Sequence, residues 1–443
     1  MKSNTKKNIR LSLAAASCAL IGANAAMAEN KHDVGEWDVS AALLFYSETD
    51  RVTATEPVIS AKKQIDTDET LSLKLTVDTL TGASASGAVP TNQPQTFTSP
   101  SGGTAVVTPA GETPLDESFK DTRVAVNAAW EKPIAKDLTM VLGGNFSSEY
   151  DYTSFAVSST FAKDINNGNT TLTAGISLGM DLVEPVNGKP VAFGTLQIQG
   201  DDDDEDDDGN KVKNGSDDTK SLFDLVVGVT QIIDQNSLFQ LSYSLSSSSG
   251  YLTDPYKFIS VVDPVTGVPL FENNAEPNLP TVVYENRPDS RLKHSFYGQY
   301  KRLIGNNVLD TSYRFMVDDW GISSNTVDLR YRWKFGETSY LEPHVRVYQQ
   351  TAADFYTPFF IAGDQPTVGD TSSDASADYR LGEFMAYTVG MEYGQDNPQN
   401  SWSVALEYYL QTGDEPAQAF GELKNQELYP DVDALMLRIG YDF

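Results

Sequence analysis

The chain has 443 residues, of which 32 are basic and 62 acidic, giving a net charge of −30 with a single cysteine. So acidic a molecule does not hold DNA or RNA by neutralising phosphates. Its 10% aromatic content, carried on repeated Val/Leu/Tyr alternations, sets it apart from disordered chains of similar charge. Taken in chain order, the first element is a leader. Lys2, Lys6, Lys7 and Arg10 precede the apolar run LSLAAASCALIGANA, and AMA-E at 26–29 offers small residues for cleavage. This is the pattern of a secretory signal peptide over residues 1–28, leaving a mature domain over 29–443. Lipidation at Cys18 is disfavoured, because Ala15 stands where such signals carry Leu. Cleavage removes four basic and no acidic residues, taking the net charge from −30 to −34, and leaves no cysteine. Disulfides, thiol catalysis and thiolate metal sites are thereby excluded. No mature stretch approaches the ~18 consecutive apolar residues of a membrane-spanning helix.

Beyond the leader the chain alternates between apolar and polar residues. In LSLKLTV, Leu71, Leu73, Leu75 and Val77 share one face, and in TVDLRYRWKF so do Val327, Leu329, Tyr331, Trp333 and Phe335. SWSVALEYYL sets Trp402, Val404, Leu406, Tyr408 and Leu410 against Ser403, Glu407 and Gln411. A period of two puts one face of a strand against an apolar medium. Strands are expected over 36–48, 51–64, 69–80, 119–131, 137–148, 150–163, 169–182 and 220–233. They continue over 237–248, 290–303, 307–318, 323–335, 339–350, 380–395, 400–412 and 430–443. Seven connections are tight, at 65–68, 132–136, 164–168, 234–236, 304–306, 336–338 and 396–399. Four others are long, at 81–118, 183–219, 249–289 and 351–379. Short turns at one end and long loops at the other distinguish an outer-membrane barrel from a sandwich. The expectation is an all-β, 16-stranded antiparallel transmembrane barrel with short periplasmic turns and long extracellular loops. With both termini periplasmic, Trp37, Trp130, Trp333 and Trp402 fall at the periplasmic rim, where aromatic rings favour the membrane interface. The last strand, ALMLRIGYDF, places Tyr441 and Phe443 at the same level.

The leader, WDVSAALLFYSETDRV (37–52), LSLKLTVDTLTGASASGA (71–88) and the terminal Tyr-x-Phe together resemble a family of Gram-negative outer-membrane barrels catalogued chiefly as a domain of unknown function. VDTLTGASASGA is the most specific piece of the resemblance, which spans the mature chain. It implies the fold and an outer-membrane location, among lipid and lipopolysaccharide, and supplies no catalytic residues. Some members are encoded near thioredoxin-like and flavin-transferase proteins, which implies periplasmic redox-related partners. Tyr441 and Phe443 are similar to the signal read by the barrel-assembly machinery.

The residues between the apolar positions are expected to face the lumen. Among them Lys293, Lys301, Arg314, Arg330, Arg332, Lys334 and Arg346 form a basic wall on four neighbouring strands, with Asp310, Asp328, Glu342 and His344 beside them. One reading is a transverse field that attracts anionic or zwitterionic solutes. The other is a paired network that fills the interior. Residues 200–218 contain an acidic tract in which Asp204, Asp206, Asp208 and Gly209 match the first half of a calcium loop. Position 215 is Gly rather than the bidentate Glu, so an EF-hand is not expected, and a solvated acidic loop with weak calcium binding is the remaining reading. No other cofactor is indicated. His32, His294 and His344 are the only histidines, and no nucleophile motif accompanies them. The function expected is a porin-like channel for small polar or anionic solutes. A non-transporting surface or assembly barrel is the alternative, and an outer-membrane hydrolase a third.

Overall fold

The computed structural model describes residues 34–82, 85–98, 105–115, 120–185, 188–195, 217–271, 281–413, 416 and 418–443. Sixteen antiparallel strands close into one barrel. In chain order the first eight are Trp37–Glu48, Thr53–Asp66, Glu69–Thr81, Lys120–Ala135, Leu138–Ser148, Tyr152–Ile165, Thr170–Val183 and Asp218–Ile232. The rest are Ser237–Gly250, Ser290–Ile304, Asn307–Asp318, Ser323–Phe335, Ser339–Gln350, Phe384–Asp396, Ser401–Gly413 and Val432–Asp442. Each expected strand is present. At 380–395 the strand starts only at Phe384, because Tyr379–Leu381 forms a 3-10 turn capped by the Asp378 side chain. The strand expected to end at 131 runs on to Ala135 through a bulge after Pro133, a residue that cannot donate to the ladder.

The seam forms between the first and last strands, in register from Ser40 opposite Asp442 to Glu48 opposite Ala434. Closure leaves no unpaired strand edge, the condition for a sheet to sit in hydrocarbon. The outer face is apolar where the alternation requires it: Leu73, Leu75, Val327, Leu329, Val345, Leu406 and Ile439 are all exposed. The seven tight turns lie at one end. Gly305, in a two-residue turn, and Gly336, in a three-residue one, carry φ of +63° and +66°, the left-handed conformation that short hairpin connections require of one residue.

At the other end the long connections do not extend separately. Phe258–Val262 pairs antiparallel with Val282–Tyr284 and in parallel with Phe359–Ile361, so two loops share one small sheet. Around it Phe193, Ile259, Val261, Val283, Ala375 and Ala377 make a buried cluster drawn from three connections. A second cluster joins Val89, Val262, Phe359 and Leu423. Leu423 belongs to a fifth long connection, 414–431, which the alternation does not single out. These segments form a cap with an apolar core of its own. It reaches the wall at the upper strand ends, where Val432, Phe384 and Tyr409 pack with Tyr379 and Tyr429. Gln350 also donates to the carbonyls of Arg380 and Gly382, at 3.0 and 2.8 Å.

Candidate functional site

The face opposite the exposed apolar set lines the lumen, and its phase follows from cross-strand register. Asp310 lies opposite Arg330, which lies opposite His344. Asp328 lies opposite Arg346, and Glu342 opposite Glu392. Asp328 sits among three basic side chains: Arg346 Nε at 2.8 Å, His344 Nε2 at 2.9 Å and Arg330 Nε at 3.5 Å. Arg332 Nε meets Glu342 at 2.6 Å, while its guanidinium lies 4.0 Å from the ring centre of Tyr340. Tyr340 donates to Glu392 at 2.8 Å, and Arg438 reaches the other oxygen of Glu392 at 2.8 Å. Nearer the periplasmic end Lys301 pairs with Asp310 at 2.9 Å, and Lys334 with Asp396 at 3.6 Å.

His344 is 3% exposed and contacts Asp328 through Nε2 and Glu407 through Nδ1, at 2.9 and 2.8 Å. Both ring nitrogens thus face carboxylate oxygens, and Arg330 Nη2 lies 3.3 Å from each nitrogen. His294 lies on the outer face, hydrogen-bonded through Nδ1 to the Tyr243 hydroxyl at 2.8 Å.

Of the seven cations expected on the wall, Lys301, Arg330, Arg332, Lys334 and Arg346 have carboxylate partners. Lys293 and Arg314 have none within ion-pair distance among the described residues. Lys293 is half-buried, in the field of Asp224 and Asp318. Arg314 is exposed, with its guanidinium carbon 5.5 Å from the ring centre of Tyr297, its direct partner across the strands. Glu392, Glu407, Asp396 and Arg438 complete the network. Their phase in the last three strands is readable from the same alternation, carried round to the seam.

The opposite wall is different in kind. Ser154, Ala156, Ser158 and Thr160 are followed across the next strands by Gly175, Ser177 and Gly179, then by Ser242, Ser244 and Ser246. Between the last two sets the intervening strand contributes Leu222, Asp224 and Val226, so Asp224 is the one charged side chain among these positions.

Within the cap a second charged cluster ties the loops together. Arg287 meets Glu285 at 2.5 Å and Asp378 at 2.9 Å, and Arg380 joins Asp378 to Asp254, at 2.6 and 3.0 Å. Lys257 Nζ donates to the carbonyl of Ala85 at 2.6 Å. Burial pushes the Glu285 carboxyl up to about 7. Burial also works against the charge of Asp378, but Lys257, Arg380 and Arg287 hold its carboxyl well below the usual range. At the rim, Asp121, Glu149 and Asp151 each bring an oxygen within 4.8 Å of the others, an arrangement of carboxylates a cation could use. Burial, with Asp121 next to it, raises Glu149 to about 7. Asp204, Asp206 and Asp208 lie outside the described residues, as does the leader. Tyr441 lies opposite Ala41 in the seam and opposite Trp402 on the preceding strand, and the Phe443 amide donates to Val39 at 3.0 Å.

A closed sixteen-strand barrel with an apolar outer belt, a charged lumen and loops gathered at one end is of the outer-membrane type. The family described as "Protein of unknown function (DUF3570)" matches residues 10–443, and the chain belongs to it. No curated protein matches the chain. Among solved structures, the siderophore receptor PirA of Pseudomonas aeruginosa aligns at TM-score 0.39 and 6% identity, over 86% of this chain and 57% of the receptor. The ferric enterobactin receptor of the same organism aligns at TM-score 0.41 and 9% identity, over 87% and 54%. The monoaromatic hydrocarbon channel CymD aligns at TM-score 0.39 and 7% identity, over 93% and 88%. The chain therefore spans little more than half the length of the receptors it matches.

Proposed function

We propose that the protein is an outer-membrane channel for small polar solutes, with the extracellular cap governing entry. The observation that carries this reading is the solvation of the lumen. Arg346, Lys301 and Arg438 keep 48%, 43% and 42% of their side-chain surface exposed although they point into a closed barrel. A filled interior would desolvate such groups at a cost of several kcal/mol each. The fully buried large side chains belong instead almost entirely to the cap. At sixteen strands the bore is wide enough for water. The test is swelling of liposomes carrying the refolded protein in isosmotic neutral sugar, amino acid or dicarboxylate. Swelling that slows with solute size supports the channel, and liposomes as tight as protein-free ones contradict it.

A non-transporting surface barrel is the second reading, and the cap favours it. Its core and buried ion cluster resemble those of a folded domain more than those of mobile loops. In that case its acidic outer side would make the contacts, with lipopolysaccharide or with another protein.

A further inference from the structure

Five of the seven expected wall cations have carboxylate partners; of the other two, Lys293 is half-buried and Arg314 is exposed. Arg330, Arg332, Arg346, Arg438 and His344 face Asp328, Glu342, Glu392 and Glu407 in one continuous network. Such a network fixes the wall but offers a solute little net charge. Arg314 stands outside it. It is exposed, no carboxylate lies within ion-pair distance among the described residues, and its cross-strand partners Tyr297 and Thr326 are neutral. The ring of Tyr297 supports the guanidinium without consuming its N–H donors, as a cation over an aromatic ring does.

Its depth in the barrel also singles it out. The next lumen residue towards the outside, Met316, packs against the Trp320, Ile322 and Phe355 cluster of the cap. Arg314 is therefore the first charged side chain beneath the cap on its strand. We propose that Arg314, held over Tyr297, is the anion-binding station of the lumen and selects solutes bearing a carboxylate or phosphate group. A planar guanidinium matches either oxyanion through two parallel N–H donors, which a point-charged lysine does not. Thr326 lies beside it as a further hydroxyl donor. This assignment rests on the channel reading for its role in transport, but not for binding.

Two measurements on the full-length refolded protein test it, with Arg314→Gln and Arg314→Lys as variants. The side chain is exposed and unpaired, so neither substitution removes a structural contact other than the ring. In planar bilayers the anion-to-cation permeability ratio should fall about fivefold in R314Q, the factor expected for losing one water-screened charge at contact distance. In R314K most of it should remain. Separately, inorganic phosphate should raise the unfolding temperature of the parent above that in chloride at equal ionic strength, as a ligand of the folded state does. That difference should vanish in R314Q. Unchanged selectivity in a conducting R314Q, or an unchanged phosphate effect, overturns the station. A parent that never conducts, yet is stabilised by phosphate only when Arg314 is present, keeps the station and removes the channel reading.

Discussion

Arg330 and Arg332 are the obvious residues from which to expect a selectivity filter, since they protrude from a strand whose apolar phase is plain. Their environment gives them another task. Arg330 lies 3.5 Å from Asp328 and 3.7 Å from Glu342, and Arg332 bonds Glu342. Replacing both by Glu places two more carboxylates among Asp328, Glu342 and Glu392. The expected outcome is a loss of about 1–3 kcal/mol, the cost of leaving buried polar groups unsatisfied. It should appear as a lower temperature at which the compact gel band converts to the unfolded one, with parental stability in Arg314→Gln. Equal stability of the double variant and the parent would contradict the pairing. The phase of these residues is legible in the sequence because a strand has a period of two. Their partners are not, because pairing depends on the register between strands far apart in the chain: His344 and Glu407 are separated by 63 residues.

At the scale of elements, the strands are readable and the cap is not. LSLKLTV carries its own face, whatever its neighbours do. The cap has no such period. Phe258–Val262 finds its parallel neighbour at Phe359–Ile361, and Lys257 finds a carbonyl 172 residues away. Loop composition holds no record of that. The cap should respond to pH through Glu285. With a carboxyl raised to about 7 in the fold from an ordinary 4.5, the folded cap binds more protons than the opened one between those values. The contribution is fully present below pH 4.5 and lost as pH rises through about 7. Asp378, held low, acts oppositely, and its contribution disappears only when acid protonates it. Cleavage of the cap by added protease on intact cells should therefore be slower at about pH 5.5 than at about pH 8. Glu285→Gln should flatten that difference, and a variant with the parental slope would assign the pH dependence elsewhere.

For the whole molecule, parity fixes which side each connection faces. Labels at Val107, Val265 and Val368, which are exposed on the cap, should react on intact cells, while labels in 132–136 or 396–399 should not. Outward labelling at 396–399 would overturn the topology. Gln95, by contrast, is 1% exposed inside the cap, so an insertion there should break the cap.

The proposed water-filled lumen and the entry role proposed for the cap can be tested together at one place. Asn286 and Ala375 belong to different loops and exchange both backbone hydrogen bonds, at 3.0 and 2.9 Å. A pair of this kind has Cα atoms about 5.5 Å apart, within reach of a disulfide. The mature chain expected after cleavage has no other cysteine, so Asn286→Cys with Ala375→Cys can bridge only to each other. The measurement is single-channel conductance of this variant in a planar bilayer, oxidised and then reduced in the same experiment. Ohmic steps matching the parent are expected after reduction, and their loss under oxidation. Steps that persist in the locked protein would separate the cap from the pore, and silence in the parent and in both redox states would contradict the water-filled channel itself.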